Sequence, residues 1–428
     1  MLSAAFSAMV SSERVPYFDA IIRVVLMVYV GALFFHPLLS VQRNGFILLL
    51  GLLVGWCVAN QRLFHTQTPY DRVLLVFVVW VGFTISFAVV PLYSLKEYGK
   101  LLQHMVVFYA VIYFFKEPRH RQILLGLIGI LAVIATAYGL WQFDLSTAAA
   151  VRSFFAAEVW FTTFLVMVIP FVLALALGGG PPVVRGAGAI VAGMMMIALM
   201  GTQSRAGLLA LVGEVWVVTW FIRSGSAKTV AVLVSAIVLF IVASSSMALL
   251  VGGVGTNSVG GQFVYKGFTS MALRFEIWNF TLSEIAKHWL VGIGYGDLSS
   301  YFLYHEDQAV IASINFWAGS GTHNLVLYLA LHIGVPGLLI FGWFIVQFIL
   351  KTVEAYRHAS EWLSKVILVG ATSCVTGVMI RVQFDQMLVG SLAVFFWVLL
   401  ALAVLSYTSC DECTEDSHVR KSGVVVGV

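Results

Sequence analysis

Residues 387–408 read MLVGSLAVFFWVLLALAVLSYT, a run without one charged side chain. At the helical rise of about 1.5 Å per residue it outreaches the roughly 30 Å hydrocarbon core of a bilayer. Similar runs recur along the chain, bounded by charges or by Gly and Pro. They predict helices near 17–39, 44–60, 72–92, 97–115, 121–143, 157–177, 182–201, 206–222, 229–251, 323–349, 364–381 and 387–408. The composition agrees: of 428 residues, 61% are hydrophobic and only 10% charged, with a mean hydropathy of +0.97. A soluble core cannot absorb that much apolar surface. Each run is near helix-spanning length and lacks the two-residue alternation of barrel strands, so the expected fold is all-α and polytopic, with about twelve transmembrane helices. No charged leader with a small-residue cleavage site precedes the first run, so insertion is expected to rely on that run itself.

Twelve spans place both termini on one side. With that side cytoplasmic, 14 Lys and Arg fall inside and 9 outside, Arg23 lying within the first span, so the termini are expected to be cytoplasmic. The connections are tight turns except one. Residues 252–322 form a long outward loop, dividing the chain into nine spans over 1–251, the loop, three spans over 323–408, and a cytoplasmic tail over 409–428. Long connections of this kind are uncommon unless functional or disordered. Gly252–Gly261 is glycine-rich and expected to be mobile, whereas Met271–Leu290 carries Leu273, Ile277, Phe280, Leu282 and Ile285 and predicts an amphipathic helix. None of the four cysteines (Cys57, Cys374, Cys410, Cys413) lies in this loop, so no disulfide framework orders it. A net charge of +4 with no basic run interleaved with aromatics argues against a nucleic-acid partner.

Three residues of the outward face stand out. Arg205 follows Gly201-Thr202-Gln203-Ser204 in a very short turn, at headgroup height. A guanidinium there can grip phosphate oxygens in a fork, or simply snorkel to the interface. Arg274 opens the loop helix with Glu276 and Trp278 beside it, which offers pairing or stacking as the plainer role. His323 stands in Gly321-Thr322-His323-Asn324, where the loop re-enters the membrane before Gly334-Val335-Pro336-Gly337. An ordinary hydrogen-bonded histidine and a candidate base look alike here. Lys96, Lys100, Arg152 and Arg381 are further outward cations suited either to steering an anion or to lipid headgroups, and Asp385 is expected to pair with Arg381. His332 reads as packing or a polar contact. Glu214, inside a span, should face other helices or a polar cavity. Gly292-Ile293-Gly294-Tyr295-Gly296 lacks the strand that a phosphate loop needs and reads as a tight turn. Cys410 and Cys413 make half a zinc site at most, and with no outward ligand cluster neither a catalytic metal nor another cofactor is expected.

Taken together, His323-Asn324 followed by Gly334-x-x-Gly337, Ser204-Arg205-Ala206-Gly207 and Arg274-x-x-x-Trp278 form a pattern that resembles the O-antigen ligase family. The resemblance in motif detail covers residues from about 200 to 340. It implies a C-type, lipid-sugar-dependent glycosyltransferase fold in a Gram-negative inner membrane, working without metal on the periplasmic face. It further implies an undecaprenyl diphosphate-linked O-antigen donor, a lipid A-core acceptor, Arg205 and Arg274 on the diphosphate, and His323 assisting the acceptor hydroxyl. Arg152, Lys96, Lys100, Asn324 and Arg381 are expected to help bind substrate. Upstream the likeness weakens: relatives follow an outward Arg with a Gly-Thr-Phe-x-Asn-Pro-Asn-like stretch, and this chain has Arg152-Ser153-Phe154-Phe155-Ala156-Ala157-Glu158. A protein O-oligosaccharyltransferase or an O-antigen polymerase would share the donor. A twelve-span secondary transporter would instead show similar halves and a midplane site, and neither is evident in the sequence.

Overall fold

The computed structural model describes residues 15–143, 150–250, 259–304, 321–385 and 388–422. Over these residues the protein is an all-α, multi-pass membrane protein with fourteen α-helices and no strand. The helices are α1 (Val15–Ala32), α2 (Leu39–Asn60), α3 (Asp71–Thr84), α4 (Pro91–Phe114), α5 (Pro118–Trp141), α6 (Glu158–Leu177) and α7 (Pro182–Gly201). They continue as α8 (Arg205–Ile222), α9 (Gly225–Leu250), α10 (Val259–His288), α11 (Ser299–Tyr304), α12 (Leu325–His358), α13 (Trp362–Arg381) and α14 (Gly390–Ser422). Eight helical segments among the described residues are long and apolar enough to cross a membrane. Local chemistry sets the starts. Pro91, Pro118 and Pro182 occupy first-turn positions, where a missing N–H costs nothing, and Ser204 and Asn324 cap α8 and α12 with their side-chain oxygens.

Twelve helices lie where the twelve runs place them, and the differences have physical causes. α3 stops at Thr84 instead of running to 92, because the backbone turns out so that the Val89 N–H reaches the Ile293 carbonyl at 3.0 Å. α12 continues to His358, and α14 runs to Ser422 through most of the stretch expected to be a tail. In the long loop, α10 starts at Val259, so residues 259–261 are helical rather than mobile; residues 251–258 lie outside the described residues.

Helix α13 sits at the centre, flanked by α6 and α8. Van der Waals fit, rather than hydrophobicity, holds helices together in lipid, and small residues permit close approach. Gly370 faces Phe171, Gly213 faces Ile380, and Gly377 receives the side chain of Glu214. Glu214 is therefore wholly buried between α8 and α13, facing another helix as the sequence suggests, while its backbone carbonyl accepts from Ser373 Oγ at 2.8 Å. A methyl group at Gly377 has nowhere to go. Gly377→Ala is expected to cost about 1–3 kcal/mol, read as a lower melting temperature in detergent, whereas Gly126→Ala, which adds a Cβ into open space, should leave the melt unchanged.

The long re-entering helix α12 is broken at Gly334 (φ 73°, ψ 168°), and Pro336 removes one more N–H from its ladder. Unsatisfied carbonyls at membrane depth are expensive, so each must find another donor. The segment after α10 supplies them: Ile293 N–H reaches Leu331 O at 2.9 Å, and Gly294 N–H reaches His332 O at 3.1 Å. Val335 N–H in turn donates to Trp289 O at 2.7 Å, and Trp80 Nε1 donates to Ile333 O at 2.9 Å. The glycines of 292–296 thus serve backbone pairing against the broken helix rather than a free-standing turn, and the pairing locks α10 onto α12.

Candidate functional site

The break leaves the first turns of α12 with His323 at their head. Asn324 caps that helix by accepting from Leu327 N–H at 3.1 Å, and its amide donates to Gln383 O at 3.1 Å. Leu325 N–H adds a bond to Val382 O at 2.9 Å, so the His323 turn is tied to the end of α13. Asn324 therefore spends its side chain on structure. His323 itself adopts a left-handed backbone conformation (φ 49°), one that histidine, asparagine and aspartate tolerate better than most residues.

This tie brings four predicted residues to one place. His323 Nδ1 lies 3.2 Å from Asp385 Oδ1, and Arg381, closing α13 and only 2% exposed, holds Nη2 3.7 Å from Asp385 Oδ2. An ionised carboxylate can only accept, so the proton on the bonded nitrogen belongs to His323 Nδ1, which leaves Nε2 as the basic atom of the ring. Helix α10 contributes from the other side. Trp278 donates its indole N–H to Thr322 O at 3.2 Å, beside His323. Arg274, one turn before Trp278, is close enough for its charge to act on both Asp385 and Arg381.

Burial pushes the Asp385 carboxyl upward, yet the His323 hydrogen bond and the charges of Arg381, His323 and Arg274 together hold it below its usual value. Burial likewise lowers Arg274, opposed by Asp385. A carboxyl held low in the folded chain contributes stability in full above its unfolded value near pH 4 and loses it as pH falls through the lower folded value. The melting-temperature gap between wild type and Asp385→Asn should therefore be widest near neutral pH and close in acid. A gap independent of pH would contradict the charge assignment.

Arg205 opens α8 at the same end of the bundle. Its helix runs antiparallel to α13, with Gly213 opposite Ile380, so Arg205 lies about 12 Å further along the axis than that contact. It is half-buried. A chamber of about 600 Å³ is bordered by Leu325 and by Leu388–Gly390, two and three residues in sequence from His323 and Asp385. Its apolar lining includes Phe155, Trp160 and Trp397, and its polar lining includes Glu97, Lys100, His104 and Asp297. Lys100 lies 2.7 Å from Glu97, while burial, then Glu97, lift Asp297 to about 6 against the pull of Lys100. Sequence reading found Lys100 but missed Glu97, His104 and Asp297. For Glu97 and His104 the available signal was polar residues in register with Lys100 on one predicted span; Asp297, in the long loop, carried none.

The remaining expectations resolve differently. Lys96 and Arg152 are exposed, and neither lines the chamber. The stretch after Arg152 is a packed wall: Ser153 Oγ donates to Ala135 O at 2.6 Å, and Phe154 stacks on Tyr138 at 4.0 Å. His332 is a satisfied core residue, its Nδ1 2.8 Å from Tyr328 O and its Nε2 3.3 Å from Ser300 Oγ. Among the described residues, no three His, Cys, Asp or Glu side chains converge in a metal-binding group. The side chains of Cys410 and Cys413 lie outside the described residues.

The described residues form an all-α membrane bundle with a histidine–carboxylate pair and two guanidiniums gathered at one end. Residues 187–342 match the family model described as O-antigen ligase. The match takes in Arg205, Arg274 and His323 and ends before Arg381 and Asp385. No curated protein matches the chain. The matched domain supports a glycosyltransferase-like function of the O-antigen ligase or polymerase type.

Proposed function

We propose that the protein moves O-antigen glycan from undecaprenyl diphosphate to a sugar hydroxyl of the lipid A core, on the periplasmic face of the inner membrane, with both termini cytoplasmic. The observation that carries this reading is the His323–Asp385 pair, with Arg381 at 3.7 Å from Asp385 and the charge of Arg274 acting on it, close in sequence to the lining of a chamber that has both apolar and polar residues. A diphosphate is a good leaving group once its growing negative charge is met by fixed cations, so the protein must mainly position reactants and supply charge.

In the proposed step, His323 Nε2 takes the proton of the acceptor hydroxyl as its oxygen attacks the anomeric carbon from the face opposite the diphosphate. The new glycosidic bond forms as the bond from the anomeric carbon to the phosphate oxygen breaks. The electron pair leaves with undecaprenyl diphosphate, whose charge is met by Arg205 and Arg274, and the configuration inverts. Asp385 keeps the imidazole in the tautomer that exposes Nε2 and stabilises the imidazolium that results. Arg381 holds Asp385 in turn.

The test is complementation of a ligase-deficient Gram-negative strain, read as the lipopolysaccharide ladder. Wild type should restore the ladder, while Arg205→Ala and Arg274→Ala at equal expression should not. Normal ladders from both variants would remove the arginines from the donor site. A wild-type chain that lengthens free lipid-linked glycan, or that glycosylates a protein, without restoring the ladder would identify a polymerase or a protein oligosaccharyltransferase instead.

A further inference from the structure

The opposite end of the bundle, where α8 ends and α13 begins, holds two adjoining grooves that share Tyr356. One, of about 330 Å³, is lined by Trp220, Val353, Arg223 and Arg357; the other, of about 510 Å³, by Leu177, Trp362, Arg185 and Lys365. Tyr356 forms the ridge between them, its hydroxyl donating to Phe221 O at 3.2 Å and its ring lying 6.0 Å from Lys365 Nζ. Each groove therefore carries two cations over apolar walls. Arg185 and Arg223 each spend Nε on a backbone carbonyl, Ala176 O at 3.4 Å and Trp220 O at 3.3 Å, which leaves the paired Nη ends of both forks uncommitted to those contacts.

The nearby carboxylates are engaged elsewhere. Glu354, whose carboxyl feels Arg357, binds Lys351 at 2.8 Å; Glu361 binds Ser364 at 2.9 Å and faces Arg121 at 3.6 Å. Among the described residues none of the four groove cations has a carboxylate within ion-pair distance. Trp220, half-exposed, stands at the rim, where an indole fits the headgroup layer, and basic pockets between spanning helices suit phosphate headgroups.

We propose that these grooves bind one anionic phospholipid carrying two phosphates, one phosphate per groove astride Tyr356, with its acyl chains on the apolar walls. Two cation pairs in grooves that share one residue, Tyr356, favour a two-phosphate headgroup over two independent lipids. This site is separate from the glycan-transfer reading and stands without it.

The test uses the whole protein in neutral detergent, titrated with cardiolipin and followed by melting temperature and by native mass spectrometry. Cardiolipin should raise the melting temperature and stay bound. In the variant Arg185→Gln, Arg223→Gln, Arg357→Gln, Lys365→Gln, affinity should fall by roughly a hundredfold or more. An equal charge loss at Arg62, Arg72, Lys116 and Arg119 should leave it unchanged. If the fourfold variant does not fold, Arg185→Gln and Arg357→Gln singly decide, each expected to weaken binding several-fold. Unchanged affinity in the groove variants, or an equal loss in the control, overturns the site. Equal binding of phosphatidylglycerol at matched phosphate overturns the two-phosphate headgroup, and an equal melting shift from free pyrophosphate overturns the lipid.

Discussion

His323→Asn is expected to lower glycan transfer by about two to four orders of magnitude while leaving the protein folded. Asparagine is chosen because position 323 is left-handed, so alanine would add backbone strain to the loss of chemistry. The imidazole side chain is 21% exposed, so removing it opens no deep cavity. Asp385 also keeps Arg381 at 3.7 Å and the field of Arg274, so no buried charge is orphaned. What disappears is the imidazole nitrogen that the proposed step uses to take a proton, which an amide cannot replace. Asp385→Asn should cost less, because an imidazole without its partner still accepts a proton but no longer holds its tautomer. The double variant should be no worse than His323→Asn alone, since the two groups act as a unit. Transfer by purified protein in detergent, with folding checked by melting temperature, decides the matter. Activity of His323→Asn within about threefold of wild type would exclude it from proton transfer, given the size of general-base contributions.

Gly334→Ala is expected to prevent accumulation of folded protein. The backbone there has φ 73° and ψ 168°, a region open essentially to glycine, and a Cβ would stand on the carbonyl oxygen of Leu290. Relief would require separating residues 289–294 from residues 331–335. That movement would break the bonds from Ile293, Gly294 and Val335 and leave carbonyls unsatisfied within the membrane, at several kcal/mol for each exposed group. The same separation would release α10 and carry Arg274 away from Asp385. Membrane-inserted yield and detergent melting would show the effect. Normal yield and a normal melt would mean that the pairing is dispensable. Gly342→Ala, on the same helix with open space around its Cβ, serves as the tolerated comparison.

The helices were legible because spanning a bilayer imposes one length and one polarity on each segment. Thr229 to Val251 and Met387 to Thr408 declare themselves by the absence of charge, whatever their neighbours. Where a boundary was misplaced, tertiary contact decided it. α3 gives up its last turns so that Val89 can bond to Ile293, a partner about two hundred residues away whose proximity no local pattern encodes. The glycines of 292–296 carried a visible signal of unusual backbone, but their role depends on the break at Gly334, which is distant in sequence and adjacent in space.

For the site, sequence alone determined the residue types and the end of the bundle where they gather: His323, Arg274, Arg381 and Asp385 all fall at connections on one predicted side. A side chain's height in the membrane follows from its place along a helix, so periodicity and charge suffice for that much. Which of these groups touch is a matter of how helices rotate and cross. Only the tertiary structure brought His323 to Asp385, anchored Trp278 to Thr322, set Arg205 one helix away, and opened the chamber lined by Glu97, His104 and Asp297. Those choices rest on packing between small residues such as Gly213 and Gly377 and on backbone bonds across the broken helix. Both are pairwise properties of segments far apart in the chain, and neither can be read from one segment alone.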